Sequence, residues 1–386
     1  MLKRGVLLIG FLSTFSLSLA QHHEAAAETK PATETKVVSA EEAEKEQIKK
    51  ENKEFIDHHL LDAHSFDIMV EKKADGTEHH IGFPLPVIFY DEANGLHAFM
   101  SSEFHHGKEM KDAHGKKYNV VESKGANYAL YHEKIVKTDA SGAITLDDHG
   151  HATNAKVLDL SITKSVLMIL CASLLMIVIF GSMARNYKKS PIPTGAGKLF
   201  EPLVIFIRDE IAIPNIGPKY HKYISYLLTI FFFILFLNVF GLLPFGINVT
   251  GNLAITAALA IFTFIITQFT ANRNYWQHIF WMPGLPFLMK LVMIPIELIG
   301  MIIKPFALLI RLFANMSAGH IVIMSLIAMI YYFKNVIAGV AFPFLTFVLY
   351  LLEILVAFLQ AYIFTMLSAV YFGMANEEHH HEEAHH

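Results

Sequence analysis

From Val166 to Ala184, nineteen residues pass without a single charge. A helix of that length crosses a ~30 Å hydrocarbon core. In water it would have no polar side to turn outward, whereas in lipid its apolar faces are solvated and its backbone bonds itself. Lys164 stands just before it and can snorkel to the interface. Arg185, Lys188 and Lys189 follow at once, which places that end in the cytoplasm by the positive-inside rule. Such a segment commits the chain to a membrane, and the rest of the sequence agrees. Apolar residues crowd between Leu158 and Ala375, while Gln21 to Asn154 is rich in Glu, Lys, Asp and His. The average of 53% hydrophobic residues and the net charge of -4 therefore mix two environments.

Further spans follow the first. Pro191 and Pro193 interrupt the chain, and then Leu199, Phe200, Leu203, Val204 and Ile207 recur at helical spacing opposite Lys198, Glu201 and Arg208. That pattern predicts an amphipathic helix lying along the membrane surface. Lys219 and Lys222 introduce a second span, Tyr223 to Leu243, which ends at Pro244 and Gly246 without a flanking positive charge, as an outside turn should. A third, Leu253 to Ala271, returns to Arg273, with Tyr275, Trp276 and Trp281 as an interfacial belt. The apolar stretch from Leu285 to Tyr332 would make a helix of roughly 70 Å, more than twice the hydrocarbon thickness. Pro295 and Pro305 are expected to bend it, so that it lies strongly tilted or folds into two pieces. The turn is expected at Tyr331 to Asn335, and a last helix from about Phe342 to Met374.

The expected architecture is an all-α integral membrane protein of about five membrane helices. The last two are long, tilted and paired as a hairpin, and a small β-rich extracytoplasmic region precedes them. Residues 1–20 read as a signal peptide rather than a first span: Lys3 and Arg4, an apolar stretch from Val6 to Leu19, and small residues ending at Ala20. Residues 21–54 are a charged low-complexity tether. Residues 55–154 form the small extracytoplasmic domain, with alternating runs at Ile81–Tyr90 and Tyr128–Val136 and turn signals at Asp75-Gly76, Asn94-Gly95 and Ser141-Gly142. Residues 155–376 are the membrane domain and 377–386 a polar cytoplasmic tail. Cys171 is the only cysteine and lies inside the first span, which excludes a disulfide framework within the chain. No basic patch with interleaved aromatics points to nucleic acid.

Ionisable groups inside membrane segments cost several kcal/mol, so each calls for a function. The final two helices contain Glu297, Lys304, Arg311, His320 and Glu353, with Asn315 and Gln360 among them. Glu297, Lys304 and Arg311 are seven apart, which keeps them on one helix face. Asn315 stands one turn beyond Arg311, and Glu353 and Gln360 are again seven apart. In an antiparallel pair, the couples Arg311 with Gln360 and His320 with Glu353 both centre within positions 335–337, beside the expected turn. Two polar levels result. A bend near Gly319, or cavities opening to different sides, would accommodate the rotation between Arg311 and His320. Imidazole titrates near neutral pH, so His320 with Glu353 suits proton handling. A guanidinium stays charged, so Arg311 suits an electrostatic gate or the counter-ion of a carboxylate rather than a relay.

Arg311-Leu312-Phe313-Ala314-Asn315-Met316 with Gly319-His320 resembles the signature of subunit a of the membrane sector of rotary ATP synthases. Pro295-Ile296-Glu297, Lys304-Pro305, Leu359-Gln360-Ala361-Tyr362-Ile363-Phe364 and Asn238-Val239-Phe240-Gly241-Leu242-Leu243-Pro244, followed by Asn248 and Asn252, match as well. The resemblance covers roughly residues 155–376. It implies a stator subunit beside a ring of c subunits, held by peripheral-stalk b subunits that reach the soluble catalytic head. Two offset half-channels deliver and remove protons, and Arg311, with Gln360 and Asn315, ionises the ring carboxylate. His320, Glu353, Glu297, Lys304 and Asn238 are the candidates for the proton path. Many relatives carry Glu and His in the reverse order at positions 320 and 353. The exchange here keeps one imidazole and one carboxylate at that level.

By the same resemblance the subunit is no enzyme on its own, and neither cofactor nor metal is expected; no Gly-rich phosphate cradle ending in Lys-Ser/Thr occurs. The expected location is a bacterial inner membrane, with the mature N-terminus periplasmic and the C-terminus cytoplasmic. The competing reading is a metal-ion transporter using the pairs His22-His23, His58-His59, His79-His80 and His105-His106 outside and His379-His380-His381 inside. Imidazole suits such metals, but these pairs lack the spacing of a defined site.

Overall fold

The computed structural model describes residues 62–377 except 73–77, 113–116, 148–151, 191, 193–194, 196, 244–246, 282–285 and 334–335. The expected signal, tether, Asp75-Gly76 turn and most of the tail lie outside the described residues.

The extramembrane part is built from antiparallel strands. β1 (Ser65–Lys72) pairs with β2 (Glu78–Pro84), and β3 (Pro86–Asp91) pairs with β4 (Gly95–Met100). A one-turn helix, α1 (Ser102–His105), leads to a meander of β5 (Lys108–Lys111), β6 (Lys117–Ser123), β7 (Ala126–Tyr131) and β8 (Lys134–Lys137). β9 (Leu158–Asp159) returns to pair with β3. Both alternating runs divide into two strands. The first breaks at Leu85, between Pro84 and Pro86, because neither proline offers a ladder N–H; Leu85 instead donates its N–H to Ser101 Oγ (3.0 Å). The second breaks at His132-Glu133, where φ values of 50° and 56° make a tight hairpin turn without glycine. Val87, Phe89, Phe104, Val121, Tyr128 and Ile135 form the core between the sheets.

α2 (Lys164–Tyr187) starts at an N-cap, with Thr163 accepting from the Val166 N–H. Its root is tied to the chain ahead of β1. The Lys164 N–H donates to Ala63 O (3.0 Å), and the Ser165 N–H and Thr163 hydroxyl donate to the two oxygens of Asp62 (3.1 and 2.9 Å). The expected surface helix is α3 (Gly197–Phe206), continued by a π-helical turn at Ile207–Ala212, α4 (Ile213–Ile216) and a 3-10 stretch at Gly217–Lys222. Phe200, Leu203, Val204 and Ile207 belong to the inward-packed side, but Leu199 is exposed.

Beyond them come α5 (Ile224–Leu242), α6 (Leu253–Thr270), the short α7 (Arg273–Phe280), α8 (Phe287–Phe333) and α9 (Val336–Asn376). Five helices, α2, α5, α6, α8 and α9, are long and apolar enough to cross a membrane. α8 is one 47-residue helix with both prolines inside it, so it does not fold into two pieces. α9 begins at Val336, some six residues before the expected Phe342, with Pro343 in its interior. A proline forfeits one helical hydrogen bond, whereas ending the helix there would leave several carbonyls unsatisfied in lipid.

α5 is the hub, with Leu227, Phe231, Ile234 and Leu237 fully buried. Around it pack Met168 and Ala172 of α2, Leu308 and Leu312 of α8, and Ala361, Phe364, Ala369 and Phe372 of α9. The far end of α9 is locked in place. The Asn376 Nδ2 donates to Tyr223 OH (2.6 Å) and Phe372 O (2.8 Å), and the Asn272 N–H donates to Ala375 O (2.8 Å). α8 and α9 run past each other in opposite senses. Phe333 stacks on Phe342, Gly319 lies against Glu353, and Lys304 lies beside Tyr371 and Met374.

Candidate functional site

α8 turns Leu308, Leu312 and Met316 into the protein, each about 2% exposed or less. The opposite side carries Arg311, Ala314, Asn315 and Ala318, all exposed. The charge thus stands with one amide among alanines and apolar side chains, on a helix of membrane-spanning length. Arg311 also lies within electrostatic reach of Tyr371 on α9.

Gln360 and Glu353 are buried between helices, at 3% and 7% exposure. A methyl group on Gly319 would sit 2.9 Å from Glu353 Oε1, so the carboxylate packs directly on the residue preceding His320. His320 is half-buried. Asn238 is fully buried: its Nδ2 donates to Ala357 O (3.0 Å), and its Oδ1 accepts from the Thr250 hydroxyl (2.9 Å). Ala357 lies between Glu353 and Gln360 in sequence, so Asn238 fixes α5 to the polar stretch of α9. Lys304 lies over the Tyr371 ring (5.7 Å) and 4.0 Å from Met374 Sδ, and Glu297 is half-buried one heptad before it. The structure thus brings together Glu353 with the Gly319-His320 segment and Asn238 with α9. It does not join Arg311 to Gln360, since among the described residues no hydrogen bond links the two.

Sequence reasoning passed over Thr263, Thr267 and Gln268 in α6. Thr263 and Thr267 are one turn apart and buried, and the Thr263 hydroxyl meets Tyr226 OH at 2.8 Å. Four-residue spacing of polar groups in an apolar span was the available signal.

Two buried polar clusters organise the extramembrane part. His64, 2% exposed, makes a 2.8 Å Nε2···Oδ2 contact with Asp159, its backbone N–H donates to Glu133 Oε2 (3.1 Å), and its Nδ1 stands 3.5 Å from the same oxygen. Burial pulls the imidazole pKa down, but the Asp159 and Glu133 carboxylates together raise it to about 9. In the second cluster, Asp91 accepts from the Tyr128 hydroxyl (2.8 Å) and from Lys137 Nζ (2.7 Å), which outweighs burial and holds its pKa low. His97 stacks on Phe89 and contacts Ser123 Oγ; burial lowers its pKa. Among the described residues no group of three or more His, Cys, Asp or Glu is placed to hold a metal ion.

Fold and site together define a multi-pass, predominantly helical membrane protein whose last two spans carry charged and amide side chains. A family model described as ATP synthase A chain matches residues 166–373, and one described as a domain of unknown function matches 55–160. ATP synthase subunit a 2 of Chlorobaculum tepidum is 48% identical over 56% of this chain and 64% of its own length. ATP synthase subunit a of Chlorobium phaeobacteroides (strain BS1) is 40% identical over 79% of this chain and 93% of its own. ATP synthase subunit a of an Anaeromyxobacter species is 41% identical over 62% of each. The alignments thus span less than two thirds of the first and third of these relatives and nearly all of the second. The chain belongs to the ATP synthase A chain family.

Proposed function

We propose that the chain is the proton-conducting stator subunit of a rotary ATP synthase, with Arg311 as its electrostatic gate. The observation that carries the reading is the exposure of Arg311 and Asn315 on an apolar, membrane-length helix. A permanent cation there is costly in lipid alone. It becomes favourable when a partner helix presents a carboxylate, and Ala314 and Ala318 leave room for that helix to approach. An opposite charge within a few ångströms lowers a carboxylate's pKa. Arg311 therefore discharges the proton of a c-ring carboxylate as it passes and bars direct leakage between the two half-channels. Each proton crossing 100 mV contributes ~2.3 kcal/mol, so several are needed for each ATP made on the soluble head.

In this reading His320 and Glu353 handle protons at the outer level, Glu297 and Lys304 border the inner side, and Asn238 and Gln360 hold the polar stretch of α9 in place. α8 and α9 form a tilted hairpin against the ring, and b subunits connect the membrane part to the catalytic head. Residues 1–20 are a signal peptide, 21–54 a tether, 55–154 a periplasmic domain, and 155–376 the membrane domain of a bacterial inner-membrane complex, with the 377–386 tail in the cytoplasm. ATP-driven proton pumping by inverted vesicles carrying Arg311→Ala tests the reading. It stands if pumping and synthesis vanish while the complex still assembles, and normal coupled pumping refutes it.

A further inference from the structure

We propose that the outward face of the β4–β3–β9 sheet docks on the lipid leaflet in which α2 begins, holding the extramembrane domain flat against the bilayer. The face lies outside everything the Arg311 reading uses, and either can fail without the other.

A sheet with one face on a core and the other in water alternates apolar and polar residues along its strands. This one does not. Val87 and Phe89 of β3 enter the core. Alternating with them, Pro86, Ile88 and Tyr90 point outward, opposite Met100, Ala98 and Leu96 of β4. On the other flank Leu158 pairs with Tyr90, and the ladder runs on beyond β9. There the Leu160 N–H donates to Ile88 O (2.8 Å) and the Ile162 N–H to Pro86 O (3.1 Å). The outward face is thus three strands wide and three residues tall, and not one of its side chains is charged. Its large exposed side chains range from 41% exposure at Met100 to 61% at Leu158, and no described element covers them. The other large sheet of the same domain behaves differently. The exposed positions of β5 to β8 are Lys108, Glu109, Lys111, Lys117, Glu122 and Lys134, as a wet face should have.

Position, packing and size together identify the occupant as lipid. The rung formed by Met100, Pro86 and Ile162 lies two residues before Lys164, where the α2 span starts. Even the far row, at Leu158, is only six residues or roughly 20 Å of extended chain from it. α2 itself leaves Val166, Leu170, Leu174 and Ile177 exposed, so apolar surface resumes within the first turn of the helix. Phe66 of β1 packs against the buried core of the membrane helices, which keeps the domain low rather than standing off on a linker. With strands ~4.8 Å apart and same-face residues ~6.8 Å apart, the sheet face covers roughly 300 Å². A free protein partner needs about 800 Å² on each side. A bilayer to which α2 already tethers the sheet needs far less, because the entropy of association is already spent. Tyr90, the one aromatic on the face, suits the headgroup level. With no cation on the face, docking is apolar and indifferent to lipid charge.

The test uses the whole complex in lipid nanodiscs, with Cys171→Ser as background and a small fluorophore on an introduced cysteine. At Leu96→Cys and Leu158→Cys, lipid carrying a nitroxide high on its acyl chain should quench severalfold more than at Glu122→Cys on the charged sheet. Aqueous iodide should quench severalfold less. The lipid quenching should persist in high salt and in purely zwitterionic lipid. Leu160→Glu, an exposed position that leaves the core intact, should lift the face and abolish lipid quenching at Leu96→Cys two strands away. Quenching by iodide and not by lipid would show a free surface and overturn the proposal. Quenching by neither would show a protein against the face and overturn it equally, as would lipid quenching that survives Leu160→Glu. Pumping by Arg311→Ala is read separately and is untouched by any of these outcomes.

Discussion

His64 is the residue whose titration should be felt across the root of the membrane domain. It is buried between Asp159, which runs on into α2, and Glu133 of the β7–β8 turn, and it follows Asp62 and Ala63, which bind the first turn of α2. The folded-state pKa is raised from 6.5 to about 9. A raised histidine pKa means that the unfolded segment gives up its proton first. The stabilisation is complete below the unfolded value near 6.5 and is lost as pH climbs through about 9. Two and a half units at ~1.36 kcal/mol each make it worth roughly 3 kcal/mol at most. Hydrogen exchange of the full chain in detergent, corrected for base catalysis, measures this directly. Opening free energies of amides in 62–66 and 158–163 should fall by roughly that amount between about pH 6 and pH 10, with α5 unaffected. His64→Gln should flatten the profile. His97 is shifted the opposite way, lowered by burial, and Tyr131, pushed up to about 12 by burial and Asp112, titrates above this window. A flat profile in the parent, or the same slope in the variant, would refute the clamp.

Two substitutions probe the membrane domain. In Gly373→Ala the new methyl would lie 1.9 Å from the backbone oxygen of Asn215, which has no rotamer by which to escape. Overpacking of this kind costs about 1–3 kcal/mol or more, and the complex should lose thermal stability in a detergent melt. In Gly319→Ala the methyl meets the Glu353 carboxylate at 2.9 Å, the far end of a flexible side chain. Assembly should survive while pumping falls, because the carboxylate is pushed from its place against Gly319; unaltered pumping would remove Glu353 from the path.

The spans were legible because lipid imposes a simple condition. Charge-free runs such as Val166–Ala184 have no stable place in water, and helices appear there within a few residues of expectation. The rest was decided where a local rule met a stronger one. Pro295 and Pro305 left two outcomes open, one tilted helix or two pieces, and α8 continues through both, since unpaired backbone groups in lipid cost more than one forfeited helical hydrogen bond. The strand boundaries near Leu85 and His132 turn on local backbone demands that alternation cannot register. A hairpin turn of two non-glycine residues at positive φ carries no composition signal at all.

The candidate site divides along a similar line. Arg311, Lys304 and Glu353 could be singled out because a formal charge in a span is expensive wherever its side chain points. Uncharged polar residues are different. Threonine hydroxyls in a helix can satisfy themselves on the preceding turn, as Thr263 and Thr267 do, so sequence alone does not distinguish a filler from a wall. Gln268 differs from them in one respect that only packing reveals. Its amide is too long to fold back on its own helix, and Tyr275 accounts for only half of it. Gln268 and Lys304 both line the cleft between α6 and α8, a meeting that neither residue signals by itself.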